Sequence, residues 1–261
     1  MSTTITPSSL PKLANKLQGK VALVTGASRG LGVALAQALA DQGANVAITY
    51  AASAAKADAV VASLREKGVK ALAIQTDQAD ATQAEPVIQK VLKEFGSLDI
   101  LVNNAAVAVQ GQPVGSPDRD YTALDRMWDI NVHGVVAYIR AAAKVLSDGG
   151  RIITIGSAIT ARVGFAGAAD YAATKSAITG YSKGVARDLG SRNITVNVIQ
   201  AGLMDTDMAA EAGVAASLFP SLAIQRFGAL EEVAAVATFL ASPESAYITG
   251  AEISVEGGYG A

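Results

Sequence analysis

Short apolar runs alternate with longer segments of helical periodicity along most of the chain. Residues 21–25 form a continuous apolar run, which is typical of a strand covered on both faces. Apolar residues then recur at helical spacing over residues 31–39, and Gly43 follows as a helix end. This alternation of strand and helix patterns is typical of a parallel α/β sheet.

The same alternation continues to the C-terminus. Further strands are predicted at residues 45–50, 71–75, 98–103, 151–156, 194–199 and 252–255. Further helices are predicted at residues 54–67, from a capping box at Thr82 and Glu85 to Gly96, from the end of a polar stretch at 110–120 to about Leu146, at 168–189 and at about 231–241. Since no composition break interrupts the pattern, we predict an α/β fold: a single doubly wound parallel sheet (a Rossmann fold) with helices on both faces. This domain would span residues 20–261 after a flexible N-terminal arm at residues 1–19.

Composition excludes several classes of protein. The 261 residues carry 21 basic and 23 acidic side chains, a net charge of −2, and 51% are apolar while 17% are charged. With no cysteine and one histidine, the chain has no disulfide, thiolate nucleophile, cysteine zinc site or multi-histidine metal centre. The near-neutral charge argues against a nucleic-acid partner, and no run approaches the ~18 apolar residues of a membrane-spanning helix. Because residues 1–20 lack the apolar core of a signal peptide, we expect a cytoplasmic protein.

Three glycines lie between the first predicted strand and the first predicted helix. Gly26 permits a tight turn, Gly30 lets a pyrophosphate approach the backbone, and Gly32 lets the helix pack close to the sheet. In a parallel sheet, the helix N-terminus at this point presents free N–H groups and the positive end of its dipole. The alternative is a glycine-rich turn that binds no ligand.

The glycine spacing Gly-x-x-x-Gly-x-Gly resembles that of the short-chain dehydrogenase/reductase family, and residues 20–261 resemble its 3-oxoacyl-carrier-protein-reductase-like branch. The resemblance implies a nicotinamide-dependent enzyme. It assigns Asp77, just past the third strand, to the adenine ring, and it matches residues 103–106 to the family's Asn-Asn-Ala-Gly motif. Ala106 replaces the glycine of that motif, a change that would cost most if the position needed positive φ.

The end of the second strand distinguishes NAD from NADP. An enzyme preferring NAD usually ends this strand with Asp or Glu, but here the strand ends at Tyr50 and the next acidic residue is Asp58. A 2′-phosphate would meet no nearby carboxylate, and both Arg29 and the Ser53 hydroxyl could approach it, so we expect NADP(H). The residues expected to hold the cofactor are Gly26, Ser28, Arg29, Gly30, Leu31, Gly32, Tyr50, Ala52, Ser53, Asp77, Gln78, Asn104, Ala105, Ala106, Tyr171, Lys175, Gly202, Met204 and Thr206.

Tyr171 and Lys175 are four residues apart in a predicted helix, so both project from one face. An unperturbed phenol has a pKa of ~10, and a nearby ammonium lowers that pKa because it favours the phenolate. Such a pair suits proton exchange with an alcohol or carbonyl oxygen while hydride moves to or from a cofactor. The same spacing is also common on solvated helices, so the pair alone carries little weight.

Two further residues complete the family's catalytic set. Ser157 follows the fifth strand and could donate a hydrogen bond to a developing oxyanion. The resemblance implies that Tyr171 donates the proton, that Lys175 lowers the tyrosine pKa and binds the ribose, and that Asn131 holds a water linking the lysine to solvent. A serine hydrolase is not indicated, since Ser157 lacks a Gly-x-Ser-x-Gly context and the single His133 is more simply a packed or surface residue.

The segment after the sixth strand is expected to cover the nicotinamide. Residues 200–208 resemble the family's Pro-Gly segment, with Ala201 in place of the proline and Thr206 matching the family's threonine. The irregular stretch that follows, to Pro220, is a candidate lid, and the polar stretch at 110–120 is expected to cover one side of the pocket, with Asp118 and Arg119 equally compatible with a solvated position. The residues expected to face the substrate are Ser157, Ala158, Val163, Phe165, Tyr171, Met204, Met208 and Phe219, a mainly apolar set.

Taken together, these patterns predict an NADP(H)-dependent oxidoreductase that interconverts a small-molecule ketone and a secondary alcohol. Acyl-carrier substrates, small cyclic ketones and diketones stay open. One alternative is a nucleotide-binding regulator or ligand-sequestering protein with little turnover, which the departures at Ala106 and Ala201 favour; another is an interaction scaffold that binds no NADPH. Relatives imply a homotetramer or homodimer formed through the long helices and C-terminal strands, and the apolar tail at 257–261 is consistent with burial in it.

Overall fold

All strands of the described chain belong to one parallel sheet. The computed structural model describes residues 15–206 and 216–261. The strands are β1 (Val21–Val24), β2 (Asn45–Tyr50), β3 (Ala71–Gln75), β4 (Ile100–Asn103), β5 (Arg151–Ile155), β6 (Thr195–Ala201) and β7 (Glu252–Val255). They pair in the order β3-β2-β1-β4-β5-β6-β7, all parallel, which confirms the predicted sheet.

Helices cover both faces of this sheet. They are α1 (Gly30–Asp41), α2 (Ala54–Glu66), α3 (Ala84–Phe95), α4 (Tyr121–Trp128), α5 (Val135–Ala143), α6 (Ala169–Leu189) and α7 (Leu230–Ala241). A π-helical segment, Asp129–Gly134, joins α4 to α5. Within the described ranges, no helix has both the length and the apolar character to cross a membrane.

The strand pleat divides the core into two layers. In β1, Ala22 and Val24 pack with α1, α2 and α7, whereas Val21 and Leu23 pack with α3, α5 and α6. Because side chains alternate between the faces of a strand, a continuously apolar strand can serve both layers.

The topology creates a crevice at the carboxyl ends of β1 and β4. From β1 the chain winds outward to β2 and β3, and then crosses back to β4 and winds the other way to β7. The loops after β1 and β4 therefore leave the sheet in opposite directions, which is where ligands bind in open parallel sheets.

Some predicted boundaries and caps were wrong. The helix predicted from Thr82 begins instead after a 3₁₀ turn, because the Asp80 carboxylate accepts the hydrogen bond from the Thr82 backbone N–H at 3.0 Å and acts as the cap. The long helix predicted to reach Leu146 ends at Ala143 and contains the π-helical segment.

The end of the predicted N-terminal arm is packed, at least from residue 15 onward. The Leu17 side chain is buried in the layer formed by α1 and α7, and its backbone N–H donates to the Gln42 carbonyl at 2.9 Å. Lys16 forms an ion pair with Glu244. Residues 15–19 therefore belong to the folded body, which corrects the boundary drawn at residue 19.

Candidate active site

A cavity of about 640 Å³ lies at the carboxyl ends of the strands. Every residue of the predicted cofactor-binding set lines it, as does the catalytic candidate Ser157. The lining residues follow six different strands, β1 to β6, and the sheet topology brings them to one place. The predicted constellation is thus a single site in space.

The glycine turn is shaped by backbone that other residues rarely adopt. Gly26 and Gly30 have φ of +66° and +54°, in the left-handed region. A Cβ at Gly26 would lie 2.7 Å from the Ala105 Cβ, closer than real Cβ contacts. At Gly30 a Cβ would make ordinary van der Waals contact with Thr206 Cγ2, at 3.9 Å. Gly26, Gly30 and Thr206 all line the cavity, so the glycine turn forms a cradle at the N-terminus of α1.

Two threonines and an asparagine hold this turn, and sequence reasoning missed the threonines. Thr49 Oγ1 accepts from the Gly26 N–H at 3.0 Å, and Thr25 Oγ1 accepts from the Ala105 N–H at 3.0 Å. Asn104 Nδ2 donates to the Thr25 carbonyl at 2.9 Å. These bonds lock the loops after β1, β2 and β4 to one another.

Ala106 fits its position without strain. Among the described residues, the one non-glycine residue with positive φ is Asn193, so Ala106 does not need the freedom of glycine. The departure from the Asn-Asn-Ala-Gly pattern therefore does not argue against a functional site.

The outer end of the cavity carries charged groups. Tyr50, Ser53 and Arg29 line it, and no carboxylate follows β2 before Asp58. Asp77 also lines it, and its carboxylate accepts from Arg126 Nη2 at 3.0 and 3.1 Å. Arg126 was not anticipated, because nothing near it in sequence signals a pairing with the loop after β3.

Gln78 links this end to the π-helical segment. Its Nε2 donates to the carbonyls of Ala105 and Ile130, each at 3.0 Å. Its Oε1 is buried and has no hydrogen-bond partner among the described contacts. The two hydrogen bonds donated by Nε2 therefore fix the Gln78 side chain between the loop after β4 and the π-helical segment.

Tyr171, Lys175 and Ser157 meet at the inner end of the cavity. Tyr171 and Lys175 lie one turn apart on α6, and the Lys175 Nζ is 5.9 Å from the centroid of the Tyr171 ring. Ser157 follows β5, and its hydroxyl lies close enough to the Tyr171 phenol to favour the phenolate and so oppose the rise in the tyrosine pKa. The Lys175 ammonium donates to the Ile155 carbonyl at 3.0 Å, which ties α6 to the end of β5.

Burial dominates the ionisation of this pair. It raises the pKa of the Tyr171 phenol, opposed by the hydrogen bond from Ser157, and it lowers the pKa of Lys175 to about 8. The protein alone therefore does not make Tyr171 more acidic, contrary to the expectation from the lysine's proximity, because both groups lose hydration together. Lys175 is instead poised to change charge near neutral pH.

Asn131 lies behind the cavity and does not line it. Its Oδ1 accepts from the Val107 N–H and its Nδ2 donates to the Val107 carbonyl, both at 2.9 Å. Nδ2 also donates to Thr174 Oγ1 on α6 at 3.2 Å. The Asn131 side chain thus joins the π-helical segment to the loop after β4 and to the catalytic helix, so its amide is committed to protein contacts.

The predicted substrate residues divide into three groups. Ala158, Phe165, Met204 and Tyr171 line the cavity. Val163 and Phe219 do not line the cavity. Val163 is 53% exposed, and the Phe219 ring packs edge-on against Phe227 with ring centroids 4.9 Å apart. Met208 lies outside the described residues. Gln110, Leu203 and Leu218 also line the cavity and lie in segments that were expected to cover the pocket. Lining residues that the sequence did not indicate include Ala108, Ile159 and Tyr259.

An ion pair and a hydrogen bond hold the polar stretch at residues 110–120 against the start of α6. The Arg119 guanidinium is buried and forms an ion pair with Asp170, next to Tyr171, so Arg119 is not solvated. The Gly111 N–H donates to the Gly167 carbonyl at 3.1 Å. The stretch therefore covers one side of the cavity, and Gln110 lines it.

Comparisons with known proteins agree with this geometry. Residues 26–260 match a family model described as Enoyl-(Acyl carrier protein) reductase. The chain is 40% identical over 243 residues to the 3-oxoacyl-[acyl-carrier-protein] reductase FabG of Staphylococcus aureus, covering 92% of this chain and 97% of the relative. It is 41% identical over 244 residues to the cyclic-di-GMP-binding biofilm dispersal mediator protein of Escherichia coli, covering 93% and 98%.

A solved structure matches equally well. The short chain dehydrogenase of Burkholderia cenocepacia in complex with NADP is 44% identical, with a TM-score of 0.89, and the match covers 94% of this chain and 100% of that one. The matches in sequence and in structure extend over nearly the whole chain and agree with the fold. The chain belongs to the short-chain dehydrogenase/reductase family of oxidoreductases.

Proposed function

We propose that this protein is an NADP(H)-dependent oxidoreductase that interconverts a ketone and a secondary alcohol, with Tyr171 as general acid and base. The observation that carries the proposal is the convergence of Ser157, Tyr171 and Lys175 on the cavity that begins at the glycine turn. One cavity thus holds both a phosphate cradle and a proton donor.

The residues present fit a dinucleotide. The glycine turn would place a pyrophosphate at the N-terminus of α1, where backbone N–H groups and the helix dipole favour negative charge. Lys175 would bind the ribose and Asp77 would lie at the adenine. When bound, the nicotinamide supplies or accepts hydride.

The preference for NADP(H) rests on charge at the outer end of the cavity. Arg29 and Ser53 line it, whereas the end of β2 offers no carboxylate to bind ribose hydroxyls or repel a 2′-phosphate. The solved structure from Burkholderia cenocepacia, 44% identical, is a complex with NADP, which supports the same assignment.

The chemistry follows from two hydroxyl groups that address one oxygen. The hydroxyls of Ser157 and Tyr171 are neighbours in the cavity, and a carbonyl oxygen placed between them would accept a hydrogen bond from both. Tyr171 then transfers its proton to that oxygen as negative charge develops. Such a pair fits reduction of a C=O bond, because the oxygen that accepts these hydrogen bonds is the one that becomes the alcohol.

The substrate is expected to be uncharged near its carbonyl. Side chains beyond Tyr171 are mainly apolar, namely Ile159, Phe165, Leu203 and Leu218. Of the charged residues that line the described part of the cavity, Arg29, Asp77 and Arg126 lie at its outer end, and only Lys175 lies near Tyr171. A ketone with apolar substituents therefore suits this end.

The experiment is a substrate panel with NADPH. Purified protein is incubated with ethyl acetoacetate, butane-2,3-dione, cyclohexanone and a quinone, and loss of NADPH absorbance is followed together with formation of the alcohol. We expect saturable turnover with at least one member and slower turnover with NADH. Saturable NADPH binding without turnover on the whole panel would contradict the proposal.

A second candidate is favoured by one comparison. The relative from Escherichia coli is described as a cyclic-di-GMP-binding biofilm dispersal mediator, so a chain 41% identical to this one has a regulatory description. In that case the protein would bind a nucleotide and sequester it with little turnover. A calorimetric titration with cyclic di-GMP, with and without NADPH, discriminates: competition between the two without reduction of any ketone would favour the regulator.

A homotetramer, or failing that a homodimer, is proposed from the family resemblance. In the described chain the Tyr259 side chain is buried against Ala158 and Leu222 of its own protomer, so the C-terminal tail does not need a partner for burial. The proposal therefore rests on the outer faces of the long helices and on the edge strand β7. Light scattering at micromolar concentration tests it, and a monomer would contradict it.

A further inference from the structure

A buried carboxamide lies directly beneath the catalytic serine. Gln200, in β6, is 3% exposed, and its Oε1 accepts a hydrogen bond from the Ser157 N–H at 2.8 Å. Ser157 stands just beyond the end of β5, where the backbone leaves the sheet. Gln200 Oε1 thus accepts the hydrogen bond that, for a residue inside the sheet, a backbone carbonyl of the neighbouring strand would accept.

The other end of the same amide reaches the catalytic helix. Gln200 Nε2 donates to Thr179 Oγ1 at 3.3 Å, and Thr179 Oγ1 in turn donates to the Lys175 carbonyl at 2.8 Å. The orientation of the amide follows from its partners, since the Ser157 N–H can only donate and must face the oxygen. One side chain therefore connects the backbone of Ser157 with the backbone of Lys175.

A surface ion pair completes the network. Gln200 Nε2 also donates to Glu252 Oε2 at 2.8 Å, and Glu252 Oε1 pairs with Lys183 Nζ at 2.6 Å. The Lys183 ammonium holds the pKa of the Glu252 carboxyl below its usual value, with Gln200 contributing in the same direction. Three of the four hydrogen-bonding positions of the Gln200 amide are thereby used, including both N–H donors, which fixes its geometry.

Gly156 provides the space for this contact. A Cβ at this position would lie 2.2 Å from Gln200 Oε1 and 2.8 Å from Val198 Cγ1. The glycine before the catalytic serine is therefore explained by the amide that packs against it. The pairing of Gly156 with Gln200 is a tertiary feature that neither residue reveals alone.

We propose that Gln200 is a positioning residue of the reductase site, which orients Ser157 relative to Tyr171 and Lys175 through its amide. The inference rests on the proposed function. The hydrogen bond from the Ser157 N–H to Gln200 fixes the serine backbone and therefore the position of its hydroxyl. Misplacement of a catalytic group by about 1 Å can lower the rate by about a hundredfold. Gln200 itself lies behind the cavity lining and does not touch the reacting atoms.

The first test replaces the amide by a side chain of the same length without hydrogen bonds. Gln200→Met is expected to lower kcat for the best ketone of the panel by about ten- to a hundredfold, with the KM for NADPH changed by less than about twofold. Hydrogen exchange at the Ser157 amide, measured by NMR, should be faster, because its acceptor is gone. Unchanged kcat together with unchanged exchange at Ser157 would overturn the proposal.

The matched control is another buried amide of the same strand. Asn197 is 1% exposed, and it bonds to the Ile248 carbonyl at 2.7 Å and the Ala251 N–H at 3.1 Å, away from the catalytic segment. Asn197→Leu is expected to lower the Tm like Gln200→Met but to leave kcat of the folded protein within about twofold. If both variants lose kcat equally, the effect is general loss of stability, and the positioning role is refuted.

A second variant tests the hydrogen bonds by pH. In Gln200→Glu, a protonated carboxyl can accept from Ser157 and donate to Glu252, whereas its ionised form repels the Glu252 carboxylate. The other ionisable groups facing this position are Lys183 and Lys175 on α6. At about pH 6, the kcat of Gln200→Glu relative to the parent should be higher than the kcat of Gln200→Met relative to the parent. The relative kcat of Gln200→Glu should then fall as the pH rises to about 9. The proposal is contradicted if the relative kcat of Gln200→Glu at about pH 6 does not exceed that of Gln200→Met. It is also contradicted if the relative kcat of Gln200→Glu does not fall with rising pH.

The outcomes separate this inference from the proposed function. If the parent protein reduces no ketone of the panel, the proposed function fails, and exchange at the Ser157 amide still reports whether Gln200 holds that segment. If the parent reduces a ketone and Gln200→Met does so with the same kcat, the proposed function stands and the positioning role fails.

Discussion

The two ends of the cavity are built by different means. At the cofactor end, the shape comes from backbone: Gly26 and Gly30 in the left-handed region, held by Thr25 and Thr49 from adjacent strands. At the catalytic end, the shape comes from side chains that span long distances in sequence, since Ser157 is held by Gln200, 43 residues away. The glycines that shape the cofactor end are visible in the local sequence, whereas the Gln200 contact that holds Ser157 is not, and both ends are held by hydrogen bonds between residues distant in sequence.

Adding a single methyl group to the glycine turn should disrupt the cofactor end of the cavity. Gly26→Ala combines a strained φ with a contact of 2.7 Å to Ala105, so we expect NADPH affinity to fall by at least about tenfold. Fluorescence titration with NADPH measures this. The control is Gly180→Ala on α6, where a Cβ meets nothing within 4 Å. Equal affinities for the two variants would contradict the account of the cofactor end.

Removing one positive charge at the cofactor end tests the preference for NADPH over NADH. Because Arg29 lines the outer cavity and no acid follows β2, Arg29→Ala is expected to reduce the preference for NADPH over NADH by about tenfold. The ratio of the two dissociation constants measures the preference. An unchanged ratio would place the 2′-phosphate elsewhere.

The catalytic end should prove to be a source of instability. Since burial lowers the pKa of Lys175 to about 8, the folded protein bears the cost of a buried ammonium below that pH, and Lys175→Met should raise the Tm of the cofactor-free protein by a few degrees. In the parent, stability rises with pH between about 8 and the ordinary lysine pKa of ~10.4, because the unfolded chain binds more protons. The Tm difference should therefore shrink over that range. A lower Tm for the variant would be the contrary result.

The smallest effect is expected on the cavity's exterior. Val163 is 53% exposed and does not line the cavity, so Val163→Ser should change KM and kcat by less than about twofold. Phe165→Ser, two residues away on a lining position, should raise KM for the ketone several-fold. Steady-state kinetics of the pair decide it, and a larger effect at Val163 would require a different path for the substrate.

The same division explains what the sequence could predict. The strands and the glycine turn follow local rules of periodicity and backbone freedom, and the strands were predicted with boundaries within a few residues. The alternation of strand and helix patterns was enough to predict that the sheet is parallel. The residues that line the cofactor end were predicted because they follow strand ends.

Partners joined across the fold could not be predicted in this way. Nothing in the sequence around Arg126 indicates its pairing with Asp77, and nothing around Gln200 indicates its bond to Ser157. The same holds for Tyr259, which reaches the cavity from the last residues of the chain. The ionisation of Tyr171 and Lys175 also depends on burial, which local spacing does not reveal.

The central claim is that Tyr171 supplies the proton to a carbonyl while the cofactor end works independently. Tyr171→Phe removes one hydroxyl and keeps the ring that packs with Ile159 and Leu124. The decisive measurement is single-turnover reduction of the best ketone by Tyr171→Phe saturated with NADPH. We predict that NADPH binds as in the parent and that reduction is lost; reduction at the parent rate would contradict the role of Tyr171.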